Sequence, residues 1–212
     1  MLPDIVWKSI QNQVFLKKIY KKNNYIKVNK KPLLSLKELI DNSKVEFPNF
    51  LPPMSTALIG YLGYETIEQF EEIPERKSSD LKLPDGFFIR PTIMAIFDNL
   101  KNQLIITTPS WYEENLNLKI EYSKKIKLIN TIREILENPV KKIKRKNYTN
   151  KIKPKSNISK DKFLNIINKA KEHIYKGDIF QVVLSQRFKA KFTPPPFELY
   201  RSLRSLNPSP FL

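Results

Sequence analysis

Residues 177 to 188 read Gly-Asp-Ile-Phe-Gln-Val-Val-Leu-Ser-Gln-Arg-Phe. Side chains alternate across a strand. Extended, the segment Ile179 to Phe188 shows Phe180, Val182, Leu184, Gln186 and Phe188 on one face and Ile179, Gln181, Val183, Ser185 and Arg187 on the other. The second face mixes apolar and polar groups, as a face turned toward a polar pocket does. An amphipathic strand with one wet face explains the spacing equally well. Upstream, Ser159 is a good N-cap and Asp161 puts negative charge on a first helical turn. Phe163, Ile166, Ile167, Ala170 and Ile174 then form one apolar stripe, predicting a helix from Ser159 to Lys176. Gly177 stands where a left-handed C-terminal cap is wanted. His173 falls off the apolar stripe and reads as a surface residue. Downstream, Pro194-Pro-Pro196 breaks the chain, Phe197 to Leu206 predicts a short helix, and Asn207-Pro-Ser-Pro-Phe-Leu212 follows.

Before this region lies a basic stretch. No acidic residue occurs between Glu137 and Asp161, while lysines and Arg145 crowd the interval. Such a block repels itself and rarely packs. It divides the chain into a first segment, 1–138, a basic linker, 139–158, and a second domain beginning at 159. In the first segment, Tyr25 to Val28 reads as a short strand and Ser35-Leu-Lys-Glu38 as a capping box that starts a helix. Thr56 to Tyr64 is strand-like but carries Gly60 and Gly63, which mark close backbone approach or a bulge. The apolar runs Ile89 to Phe97 and Leu104 to Thr108, joined by the turn-forming Asp98 to Gln103, predict an antiparallel hairpin. Leu118, Tyr122, Ile126, Ile129, Ile132 and Leu136 recur at steps of three and four, predicting a helix that Pro139 ends.

Composition narrows the function. The 212 residues are 41% hydrophobic, enough for a packed core. There is no cysteine and only one histidine, which excludes disulfides and Cys- or His-rich metal centres and fits a reducing cytoplasm. Apolar runs such as Ile93 to Phe97 are strand-sized, far below the roughly 18 residues of a membrane helix. The net charge of +17 raises nucleic-acid binding, but lysine is spread over most of the chain and no zinc-finger or aromatic RNA-binding signature accompanies it. A solvated basic surface is the simpler reading, with neither nucleic acid nor membrane as a partner. The acidic cluster Glu65, Glu68, Glu71, Glu72 and Glu75 likewise reads as a solvated face rather than a metal site.

Several stretches together carry a family resemblance. Gly177 to Phe188, with the helix before it, resembles the opening of the chorismate-binding domain of anthranilate synthase component I. Pro196-Phe-Glu-Leu-Tyr-Arg-Ser-Leu-Arg-Ser-Leu-Asn-Pro-Ser-Pro-Phe211 continues the likeness. Ala57-Leu-Ile-Gly-Tyr-Leu-Gly-Tyr-Glu65 and Leu83-Pro-Asp-Gly86 resemble the N-terminal domain of the same family. The order and spacing of these pieces make the match more specific than one short motif. The resemblance implies an α/β fold of the α+β type, a sandwich of antiparallel sheets flanked by helices. It implies conversion of chorismate and ammonia to anthranilate and pyruvate with magnesium, the ammonia coming from a glutamine amidotransferase subunit. It also implies feedback inhibition by tryptophan. Gln181 falls where related isochorismate-forming enzymes carry a lysine that activates water. A neutral amide offers only hydrogen bonds, so Gln181 favours amination over hydration and is assigned to positioning the nucleophile or leaving group. Asn207, Pro208, Ser209, Pro210 and Phe211 resemble the motif that helps form the tryptophan pocket, where many members have Tyr in place of Phe211. The nearest rival, aminodeoxychorismate synthase, usually has asparagine where Val183 stands.

Two family pieces are expected and not found. The Leu-Leu-Glu-Ser strand that holds the tryptophan amino group has no counterpart before Trp7, and the magnesium-binding glutamates belong beyond Leu212. The expectation is a chain truncated at both ends, with no metal ligand of its own and no activity alone, whose opening strand lacks sheet neighbours.

Overall fold

The computed structural model describes residues 3–19, 24–74, 83–111, 117–139 and 153–209. Contacts divide the chain into two compact units, Met1–Val140 and Lys141–Leu212. The first is built on a five-stranded sheet whose paired strands are all antiparallel. Strands β1 (Pro3–Ile10) and β2 (Gln13–Lys18) form a hairpin, followed by β3 (Ile26–Val28), helix α1 (Pro32–Asp41), β4 (Ile59–Leu62) and β5 (Gly86–Pro91). The spatial order is β3-β2-β1-β5-β4, so β1 is the middle strand. The sequence reading assigned no element to β1 or β2. Their turn is Gln11-Asn12, both with positive φ (47° and 62°). That is the backbone of a two-residue turn matching the strand twist, but it lacks the glycine that usually signals one.

One face of the sheet makes the core. Ile5, Trp7 and Val14 pack with Leu36 and Leu39 of α1, and Leu16, Val28, Leu58 and Phe88 close around them. Trp7 is fully buried, meets Phe88 edge-on at 6.0 Å, and donates its indole N–H to Ser35 Oγ at 3.2 Å. This corrects the predicted helix start. Helix α1 begins at Pro32, with Lys31 as N-cap. Proline fits the first helical position because it lacks an N–H that would have no partner there. Ser35 is therefore inside the helix and buried, its hydroxyl spent on Trp7 rather than on a cap. Glu38 pairs with Lys30 at 2.6 Å on the surface. At the rim, Arg90 forms a two-pronged pair with Asp4 (3.0 and 2.6 Å) and stacks on Trp111 at 4.3 Å.

The apolar run from Ile89 to Phe97 feeds two sheets rather than one strand. Its start belongs to β5, and its end to β6 (Met94–Asp98), which pairs with β7 (Gln103–Thr107) in the predicted hairpin. Asp98 Oδ1 accepts from the amides of Leu100 and Lys101, and Asn102 takes a positive φ, closing the turn. Helix α2 (Leu118–Glu137) follows with Asn117 as N-cap, its side chain accepting from the Ile120 amide. Between α2, β7 and residues 45–56 lies a groove of ≈ 670 Å³.

The second unit holds β8 (Lys155–Ser156), α3 (Lys160–Tyr175), β9 (Phe188–Lys189) and α4 (Pro196–Leu206). Most of the basic linker lies outside the described residues, but Lys155 is in a strand paired with Lys189, so the end of that stretch is tied down. Ser159 caps α3 by accepting from the Lys162 amide. At the other end Gly177 has φ 78°, its amide donates to Ile174 O, and that of Asp178 donates to His173 O. These are the paired bonds of a left-handed helix stop. His173 Nδ1 and Asp178 Oδ2 add a surface contact of 2.8 Å across the same turn.

Two measurements check this account. Ser35→Ala leaves the Trp7 N–H buried without an acceptor, and we expect urea unfolding to show a loss of about 1–3 kcal/mol. Glu38→Ala, at an exposed pair, should cost less than about 1 kcal/mol. Equal losses would restore the capping-box reading. Gly177→Ala has open space for its methyl but an unfavourable φ, and should lower protection of the last α3 amides in hydrogen exchange by about 1 kcal/mol.

Candidate functional site

The segment after Gly177 does not form the predicted strand. Only Phe188 of Ile179 to Phe188 is in a strand, and residues 181–187 run without regular structure. A strand exists through its ladder of hydrogen bonds. The neighbour found among the described residues is β8, which pairs with Phe188 and Lys189 alone. Just before that pair the chain is anchored by side chains. Asn157 Oδ1 accepts from the Arg187 amide at 2.9 Å, the Asn157 amide donates to Arg187 O, and Ser156 Oγ donates to Gln186 Oε1 at 3.0 Å. Sequence reasoning passed over Ser156 and Asn157, whose only signal was a polar pair just ahead of the Ser159 cap.

Gln181 is exposed, as are its apolar neighbours: Phe180 is 95% and Val183 is 84% accessible. Its amide makes no side-chain hydrogen bond among the described residues, so it is free to offer both a donor and an acceptor. Asn207 ends α4, its amide donating to Leu203 O, and Asn207, Pro208 and Ser209 are exposed. Pro210 and Phe211 lie outside the described residues. No hydrogen bond or ion pair joins Gln181 to Asn207 or Ser209 among the described residues. Nor does any group of three or more His, Cys, Asp or Glu side chains converge there to hold a metal.

In the first unit the two family-like stretches meet. The Gly63 amide donates to Asp85 O at 2.6 Å, and Tyr61 Oη donates to Pro84 O at 3.1 Å. A methyl on Gly60 would sit 2.0 Å from Phe87 O. The glycine is thus required by the close approach of β4 to β5. Asp85 also reaches the hairpin turn. Its carboxylate accepts from the Gln11 amide at 2.6 Å and its own amide donates to Ser9 O at 2.8 Å. These motif residues therefore hold three strand ends together.

The family model described as chorismate binding enzyme matches residues 5–212. Anthranilate synthase component 1 of Cereibacter sphaeroides is 33% identical over 100% of this chain and 43% of its own length. The protein of the same name from Thermus thermophilus is 33% identical over 85% of this chain and 37% of its own. Among solved structures, anthranilate synthase component I from Streptococcus pneumoniae superposes with a TM-score of 0.80 at 28% identity, covering 100% of this chain and 45% of that one. The chain thus spans less than half the length of these relatives. The antiparallel sheets flanked by helices are those of that structural relative. With the match running from Ile5 to Leu212, this chain belongs to the chorismate binding enzyme family.

Proposed function

We propose that this chain is part of an anthranilate synthase component 1, the subunit that converts chorismate and ammonia to anthranilate and pyruvate in tryptophan biosynthesis. The observation that carries the reading is the end-to-end match to proteins of that name. The chain contributes an N-terminal unit, residues 1–138, a basic connector, 139–158, and the opening of the chorismate-binding unit, 159–212. A glutamine amidotransferase subunit supplies the ammonia and tryptophan acts as feedback inhibitor. The absence of cysteine suits the cytoplasm where such enzymes work, and among the described residues no helix is long and apolar enough to cross a membrane.

Gln181 would position the incoming ammonia or the departing hydroxyl by hydrogen bonding. Being neutral, it cannot take a proton from water, so it leaves hydration without a base at that position. Asn207, Pro208, Ser209, Pro210 and Phe211 would supply one wall of the tryptophan pocket. The prolines limit the backbone, and Phe211 offers an aromatic surface without the hydroxyl a tyrosine would add. Magnesium is the metal of the complete enzyme. The described residues present no ligand set that fits it. The chain alone, spanning 43% of a relative's length, is expected to be inactive.

The test joins this chain to the part of the Streptococcus pneumoniae protein that lies beyond the match. With chorismate, ammonia and magnesium, the joined protein should produce blue anthranilate fluorescence, and the chain alone should not. Gln181→Lys in the joined protein should lower kcat at least about tenfold, or roughly 1.4 kcal/mol in the barrier. A product aminated at the other ring position would overturn the reading in favour of aminodeoxychorismate synthase.

A further inference from the structure

The face of the five-stranded sheet opposite the Trp7 core carries a regular row. Strand pairing sets Lys27 of β3 beside Phe15 of β2, Phe15 beside Lys8 of β1, Lys8 beside Phe87 of β5, and Phe87 beside Tyr61 of β4. Cations and rings thus alternate over the first three strands, and the row ends in a stacked Tyr61–Phe87 pair with centroids 6.4 Å apart. In the next row Lys17 lies beside Val6, with Ile89 and Ile59 beyond.

The ammonium groups are held in place by the rings. Lys8 Nζ sits 3.9 Å from the centroid of Tyr25 and 5.5 Å from that of Phe15, while Lys17 Nζ sits 5.7 Å from Tyr25. Two positive charges therefore share one tyrosine. Neither they nor Lys27 has a carboxylate partner among the described residues. Along the stretch that holds all three, between Asp4 and Glu38, there are nine lysines and no acidic residue. Like charges placed together without a counter-charge repel, and an anion brought to this face relieves the repulsion. Lysines on a sheet margin can serve only to discourage edge pairing. Lys8 is on the middle strand and projects from the face, so that role does not account for it.

We propose that this face docks an acidic, extended segment of a partner protein, its carboxylates on Lys8, Lys17 and Lys27 and its apolar side chains on the Tyr61–Phe87 pair. Two features favour a protein over a nucleic acid. The rings of Tyr25 and Phe15 already carry lysine ammonium groups, so they offer fixed charge rather than free surfaces for stacking bases. Beyond Lys17 the next row also turns aliphatic, with Ile89 and Ile59, which suits the apolar side chains of a peptide better than the bases of a nucleic acid.

The experiment uses the full chain and a fluorescein-labelled peptide of alternating glutamate and phenylalanine, with a single-stranded oligonucleotide of equal charge as comparison. The variant Lys8→Gln/Lys17→Gln/Lys27→Gln should lose peptide affinity roughly tenfold, about 1.4 kcal/mol. Lys119→Gln/Lys124→Gln/Lys127→Gln on α2 removes the same charge elsewhere and should lose less than about threefold, within the reach of general screening effects. Lys17→Gln alone, with circular dichroism unchanged, should weaken the peptide measurably and guards against a misfolded triple variant. Equal losses from the two triple variants would mean diffuse charge only and overturn the proposal. So would tighter binding of the oligonucleotide, lost on the sheet-face variant.

Discussion

The indole of Trp7 fixes the first unit. It lies on the middle strand, is fully buried, and meets α1 through Ser35 and β5 through Phe88. A buried ring brings a large apolar area and one polar group that needs an acceptor. Here the acceptor comes from inside the helix that covers the sheet. The helix is therefore held at one rotation and one height, and Leu36 and Leu39 reach the same core as a result. The Asp4–Arg90 pair stands at the end of the same two strands, where one side chain is 7% and the other 13% exposed. It is a tie of direction more than of energy, since burying both charges offsets much of their attraction.

What the sequence disclosed depended on how local each signal was. Helices α2 and α3 were legible because their signals lie within the helix itself: the three-and-four periodicity in α2, and the caps Ser159 and Gly177 of α3, which act where their types suggest. The β6–β7 hairpin was legible for the same reason. The β1–β2 hairpin was missed because Gln11-Asn12 adopts a conformation that glycine normally marks. Ser35 misled because a serine three residues before a glutamate has two uses, and the choice between them was made by a tryptophan distant in sequence. The apolar run at Ile89 gave no sign that it crosses from one sheet to another, because a continuous apolar run has no internal punctuation.

The candidate site was legible as a motif and not as a shape. Gly177 to Phe188 contains an alternation that any strand would show, yet a strand is a property of two chains. Where β8 is present the segment pairs, and where the described residues offer no neighbour it remains exposed from Gln181 to Ser185 save for the half-buried Leu184. The identity of Gln181 speaks to the hydrogen bonds a neutral amide can make, while no side-chain hydrogen bond among the described residues fixes that amide. The motif of Gly60, Gly63 and Asp85 is the opposite case, since its meaning is wholly structural and its contacts lie inside one unit.

The middle position of β1 also sets an order of events. On one side its partner is β2, reached through a two-residue turn, and on the other it is β5, which follows α1 and β4 in the chain. The hairpin edge can close in microseconds. The β5 edge must wait for a long loop to be drawn in, a step whose entropy cost slows it. During that interval Trp7 has β2 beside it but not Phe88. The full enclosure of the indole thus depends on contacts of two kinds, one local in sequence and one reached only when residues 86–91 join the sheet.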